Sequence, residues 1–124
     1  MKIIVERDTF AAAIDCASRS CERRDTIPIL NNILITPNGA TLALVGTDLD
    51  RQFEIEISAE IEGASVAMTL PAFTLRGLVD QMPKGAQIIL EYEDGQHSAT
   101  LRAGRSRYKL VTLPVANFPN LRKV

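Results

Sequence analysis

The sequence predicts an α+β domain of two similar halves, each running strand, helix, strand, strand, strand, with both helices on one face of the sheets. Three observations carry this. Two separate stretches, Phe10 to Cys21 and Leu75 to Met82, place apolar residues at helical spacing. Each is followed by runs of β-branched or alternating residues broken at glycines such as Gly39 and Gly95. The order of these elements then repeats once along the chain. At 124 residues and 46% hydrophobic content the chain fits one domain with a full core. Aromatic residues make up 5% and Trp is missing, so that core is aliphatic.

The first half opens with Lys2-Ile3-Ile4-Val5-Glu6, a short strand rich in β-branched residues. Asp8 is a fitting N-cap for the helix that follows. Phe10, Ala13, Ile14, Ala17 and Cys21 share its apolar face; Ala12, Asp15, Arg19 and Arg23 share the opposite one. Asp15 and Arg19, four apart, are spaced for a surface ion pair, whereas Arg19 and Arg23 repel unless an anion lies across them. Arg23 and Arg24 fall at the helix end or in the loop beyond it. Pro28 has no N–H for a ladder and is expected at the start of a strand reaching Thr36. Pro37-Asn38-Gly39 turns that strand into Thr41 to Thr47. From Arg51 to Glu62 the alternation is strict. Phe53, Ile55, Ile57, Ala59 and Ile61 point one way, and Glu54, Glu56, Glu60 and Glu62 the other, giving one buried and one solvated acidic face.

After Gly63 the order recurs. Ser65 to Leu70 reads as a strand, and Pro71 suits a helix start. Leu75, Leu78, Val79 and Met82 form the second helix's stripe, which Pro83 ends. Gln87 to Glu93 and His97 to Ala103 flank an Asp94-Gly95 turn, and Arg105 to Leu113 is the last strand. Pro114, Pro119 and the basic tail read as an exit or linker. Thr41-Leu42 with Gly46 echoes Thr100-Leu101 with Gly104.

The chemistry-bearing residues form no catalytic constellation. Asp48 and Asp50 are read as a strand end and turn, with no third ligand near in sequence. His97 sits beside a turn without a nucleophile, and Ser18 and Ser20 lie in a helix without an elbow motif. Cys16 and Cys21 match no metal or redox spacing and are read as small apolar residues on or near one helix, in keeping with a reducing compartment. No run reaches transmembrane length and no signal-peptide core is present, so a cytoplasmic location is expected. A net charge of −1 does not announce a nucleic-acid binder, but it conceals local basic clusters. Arg19, Arg23 and Arg24 gather at the first helix; Arg76 and Lys84 lie on or near the second. They are either solvated helix faces or a phosphate-facing surface without base readout. Arg105, Arg107 and Lys109 alternate with Ser106, Tyr108 and Leu110, as either a soluble edge or a strand-edge interface.

Several motifs, in order across nearly the whole chain, resemble the first domain of the bacterial DNA polymerase III β subunit family, the sliding clamps. They are Val5-Glu6-Arg7, Arg24-Asp25-Thr26-Ile27-Pro28-Ile29-Leu30, Gly46-Thr47-Asp48-Leu49, Leu70-Pro71-Ala72, Gly104-Arg105-Ser106-Arg107-Tyr108, Thr112-Leu113-Pro114 and Asn117-Phe118-Pro119-Asn120-Leu121. The resemblance implies the DNA-clamp fold, with three such domains in tandem and two subunits closing head to tail into a ring. Helices line the hole, duplex DNA passes through it, and the ring tethers the replicative polymerase. It implies no enzymatic activity and no cofactor, with an ATP-using clamp loader opening the ring; the residue spacing itself suggests no metal site. Arg24 matches a DNA-touching position; Arg19 and Arg23 join it from the helix face. The second helix departs from the family's basic start, since Phe73-Thr74 follow Pro71-Ala72 and Arg76 is the nearest base. Arg105, Arg107, Tyr108 and Leu110 match the ring-closing edge.

On this reading residues 1–118 are the N-terminal clamp domain and residues 119–124 begin a linker to a second domain. The pocket for polymerase and loader peptides lies in later domains. The chain alone is expected to be monomeric, because a basic edge repels its own copy. The competing readings are a small α+β binding module unrelated to replication that uses its terminal strand edge, and an enzyme built on Asp48 and Asp50.

Overall fold

The computed structural model describes residues 1–20 and 28–119. Strand β1 (Lys2–Glu6) leads into helix α1 (Arg7–Ala17), followed by a 3-10 turn at Ser18–Ser20. A second 3-10 turn (Pro28–Asn31) precedes β2 (Asn32–Asn38), β3 (Thr41–Thr47), β4 (Gln52–Ser58) and β5 (Glu60–Glu62). The second half runs β6 (Met68–Pro71), α2 (Ala72–Asp80), β7 (Gln87–Glu91), β8 (Ser98–Ala103) and β9 (Ser106–Val111). The repeat expected from the sequence is there.

The strands form two antiparallel sheets, ordered β5-β1-β7-β8-β9 and β4-β3-β2-β6. Each half therefore lends its first strand to the other half's sheet. Strand β1 pairs with β7, Ile3 facing Leu90, and β6 pairs with β2, Leu70 facing Ile33. The exchange makes the two halves one cooperative body. Helix α1 packs on β3 and β4 and against α2, which packs on β6. Phe10, Ala13, Ile14 and Ala17 of α1 and Ala72, Leu75 and Val79 of α2 are buried. They share one aliphatic core with the inward rows of both sheets, such as Ile3, Ile33, Leu44, Ile88 and Leu101. Each large side chain of that core stabilises by roughly 1.5–3 kcal/mol before entropy is counted.

Five local expectations are corrected. The cap of α1 is Glu6, not Asp8: the Glu6 carboxylate accepts from the backbone N–H groups of Asp8 (2.6 Å) and Thr9 (3.3 Å). Its extra methylene lets it reach forward over the first turn, where its negative charge also suits the helix N-terminus. Pro28 opens a 3-10 turn rather than a strand, and ladder pairing begins only at Asn32. The alternating run from Arg51 to Glu62 is two strands. At Ala59, whose N–H bonds Ala40 O at 3.0 Å, it leaves one sheet and enters the other. Its apolar row is half-buried rather than buried, because β4 and β5 are edge strands with a neighbour on one side only. Finally, Arg105 lies in the turn before β9, not in the strand.

Candidate nucleic-acid interface and strand edge

The two helices run antiparallel and are joined at both ends. At the first residue of α1, the Arg7 side chain reaches the C-terminus of α2. Its Nε donates to Val79 O at 3.2 Å and Nη2 to Asp80 O at 3.0 Å, while Nη1 meets Asp8 Oδ1 at 3.1 Å. A cation there satisfies carbonyls that the helix leaves open and complements its dipole. The Arg7 side chain is 14% exposed; its bond to Val79 O is partly buried, while those to Asp80 O and Asp8 lie at the surface. Helical periodicity gave no hint of it; only the Val5-Glu6-Arg7 motif singled Arg7 out. Toward the other end, Asp15 Oδ1 meets Arg76 Nη2 at 2.9 Å across the exposed helix surfaces. The expected Asp15–Arg19 pair does not form, because the α-helix ends at Ala17 and Arg19 continues in a 3-10 turn with a different rotation per residue.

Of the residues assigned to DNA, Arg19 is exposed in the 3-10 turn after α1 and Arg76 is exposed on α2. Arg76 does not stand free as a phosphate ligand: Asp15 neutralises it. Arg23 and Arg24 lie outside the described residues, as does Cys21. Cys16 is a free thiol of intermediate burial on α1.

Asp48 is consumed by a turn. Its Oδ1 accepts from the N–H groups of Asp50 (3.0 Å) and Arg51 (2.7 Å), and its Oδ2 meets the Arg51 guanidinium at 3.1 Å. The Arg51 backbone N–H, foremost, holds the carboxyl below its ordinary range, helped by the Arg51 side chain against a partial desolvation. Thr47 Oγ1 completes the loop, donating to Arg51 O at 2.7 Å and accepting from Leu49 N at 3.1 Å. The turn reading of Asp48 and Asp50 stands. Among the described residues no three His, Cys, Asp or Glu side chains gather as a metal cluster.

Among the described residues strand β9 pairs with β8 alone, which leaves its outer edge open there. Arg107, Lys109 and Val111 form its solvent row, Val111 being 68% exposed. Their in-register neighbours on β8 are Arg102, Thr100 and Ser98, and Arg102 is held by Glu91 at 2.8 Å. On the other face Tyr108 is half-buried and Leu110 is 4% exposed, inside the core. Leu110 is thus buried in the core of this domain; on that face Tyr108 is the apolar side chain left partly available.

Residues 1–122 match the family model described as DNA polymerase III beta subunit, N-terminal domain. The chain is 38% identical over 119 residues to the beta sliding clamp of Caulobacter vibrioides, covering 96% of this chain and 32% of that protein. It is 36% identical over 121 residues to the beta sliding clamp of Escherichia coli, covering 98% and 32%. The crystal structure of the DNA polymerase sliding clamp from Caulobacter crescentus superposes with a TM-score of 0.92 at 37% identity, covering 98% of this chain and 32% of that one. The chain spans about a third of the length of these relatives. A match across both sheets and both helices leaves the unrelated binding module without support. The chain belongs to the family of the DNA polymerase III beta subunit N-terminal domain.

Proposed function

We propose that this chain serves as one domain of a ring that encloses duplex DNA and tethers the replicative polymerase, a non-catalytic processivity factor. The observation that carries the reading is its family membership over residues 1–122. The geometry supports it: α2 and the 3-10 turn after α1 present the exposed cations Arg76 and Arg19. Phosphate contacts of this kind position a protein without reading sequence, as sliding requires. Arg24 joins that surface by resemblance, and Arg23 from its place on the helix face in the sequence pattern. The β9 edge, with Arg105, Arg107 and Tyr108 over the Leu110 seat, closes the ring against an unlike edge of another subunit.

The partners are duplex DNA of any sequence, a second full-length subunit, and the polymerase catalytic subunit and clamp loader acting through the full-length protein. The site of action is the bacterial cytoplasm. Among the described residues no helix is long and apolar enough to cross a membrane. The 124-residue chain alone is monomeric in dilute solution.

The test is topological. Full-length protein carrying this domain, loaded on a nicked circular duplex, is expected to remain bound until the circle is cut, then to leave within the time of sliding. Equal release before and after linearisation overturns enclosure. Replacing Arg24 by Ala is expected to lower the logarithmic salt slope of DNA contact by about one, equally for all sequences.

A further inference from the structure

The Asp15–Arg76 contact is the feature of the helix pair that stability does not explain. Both side chains are about half exposed, at 49% and 45%, and they meet with Arg76 Nη2 2.9 Å from Asp15 Oδ1. An ion pair so placed contributes little to folding. The helices are already held together by the shared core and by the Arg7 clasp. What the contact does change is the charge of the surface. Arg76 is the exposed cation of α2, and Asp15 is a carboxylate of α1 on that same surface. Helix α1 brings it beside α2 because the two helices run antiparallel. Arg19, the cation four residues along, is not its partner.

We propose that Asp15 is a built-in brake on nucleic-acid contact: by pairing with Arg76 across the helix interface it removes one cation from the phosphate-facing surface. The inference rests on the reading that this surface faces duplex DNA. A surface that must move along a polyanion is served by few and weak contacts, since each phosphate neutralised adds to the salt slope and to the hold on one position. Asp15 supplies the restraint at a site where a free Arg76 would reach a phosphate.

The experiment titrates the 124-residue chain with a short duplex of mixed sequence at several low salt concentrations, following backbone amide shifts. The variants are Asp15→Asn, which keeps the shape and removes the charge, Arg76→Gln, and the double change. Asp15→Asn is expected to tighten binding severalfold and to steepen the salt slope by about one. Arg76→Gln alone is expected to weaken binding, because it leaves the Asp15 carboxylate unpaired before the phosphates, and the double variant should return to the slope of the unaltered chain. Thermal unfolding should move only slightly in all three. If Asp15→Asn steepens the salt slope by the same amount with Gln at position 76, where it frees no cation, Asp15 acts as a plain repulsive charge and the pairing is overturned. If the unaltered chain shifts its helix amides but Asp15→Asn leaves affinity and slope alone, the brake fails while the DNA-facing reading survives. If no form shifts those amides, both fall.

Discussion

The last strands of the two halves, β4 and β9, occupy equivalent places in the repeat and differ in almost every respect that matters at a boundary. Each is the terminal strand of its sheet. The solvent row of β4 carries Glu54 and Glu56, and its continuation β5 carries Glu60 and Glu62; the row of β9 carries Arg107 and Lys109. The domain thus ends in an acidic edge on one side and a basic edge on the other. Unlike patches suit head-to-tail contact, in which one surface meets a different one, rather than contact of a surface with itself. The self-repulsion expected of the chain holds for β9 against β9 and not for β9 against β4. Sedimentation should therefore show monomer when dilute, and any association at high concentration should weaken on adding salt.

The inward rows differ too, and they set the largest expected effect. Leu110 of β9 is 4% exposed, whereas Ile55 and Ile57 of β4 are only half-buried. Leu110→Ala is expected to cost about 2–5 kcal/mol in chemical unfolding, as a cavity in a closed core does. Ile57→Ala should cost less, since solvent already reaches its surroundings. A larger loss at position 57 would mean the two edges are packed the other way round. Replacing Tyr108 and Leu110 together is consequently a poor probe of an interface; Tyr108→Ala alone separates edge contact from folding.

These contrasts show what the sequence made legible. Element order, both helices, their buried stripes and the alternation along β4 were readable, because periodicity reports which side of an element is apolar. How deeply a row is buried was not, since that depends on what covers it. Ile57 and Leu110 look alike in the chain, and only the sheet order separates them. The Arg7 clasp was hidden for the same reason: its acceptors lie 72 and 73 residues away. Half of the expected DNA-facing set, Arg19 and Arg76, falls among the described residues, and the structure added Asp15, which local spacing had paired with Arg19.

The corners after the two strands give the next effect. After β4 the chain continues as β5 and joins β1 by ladder pairing, Ile61 facing Ile3. After β9 it passes β6, and the contact there runs through the hydroxyl of Thr69, which is fully buried. Thr69 Oγ1 donates to Leu113 O at 2.8 Å and accepts from Leu113 N and from Asn32 Nδ2, each at 3.1 Å. Thr69→Val keeps the shape and strands these partners, so about 1–3 kcal/mol is expected to be lost, with faster amide exchange at Leu113. Between the helices, Arg7→Met should remove the clasp on Val79 O and Asp80 O at about 1–2 kcal/mol, against a few tenths for Asp15→Asn.

The hairpin turns that lead into β4 and β9 complete the comparison and give the smallest effect. Before β9 the chain turns at Gly104, with φ +57°, a conformation glycine adopts without strain. Before β4 the left-handed position is Leu49, with φ +81°, which a side chain resists. The Thr47 hydroxyl and the Asp48 carboxylate bond the loop backbone around it and hold it there. The first turn is therefore held by an ionisable group and the second is not. Because the folded chain lowers the Asp48 pKa, the carboxylate form is favoured in the fold. Its contribution is present above the ordinary aspartate value, about 3.9, and is lost as pH falls through the lower folded value. Acid titration followed by amide exchange should loosen residues 48–51 before it affects the Gly104 turn. Asp48→Asn should abolish that difference in pH response, because the amide oxygen accepts from the same N–H groups without titrating. If the first turn of the Asp48→Asn chain still loosens selectively in acid, the sensitive group lies elsewhere than at Asp48.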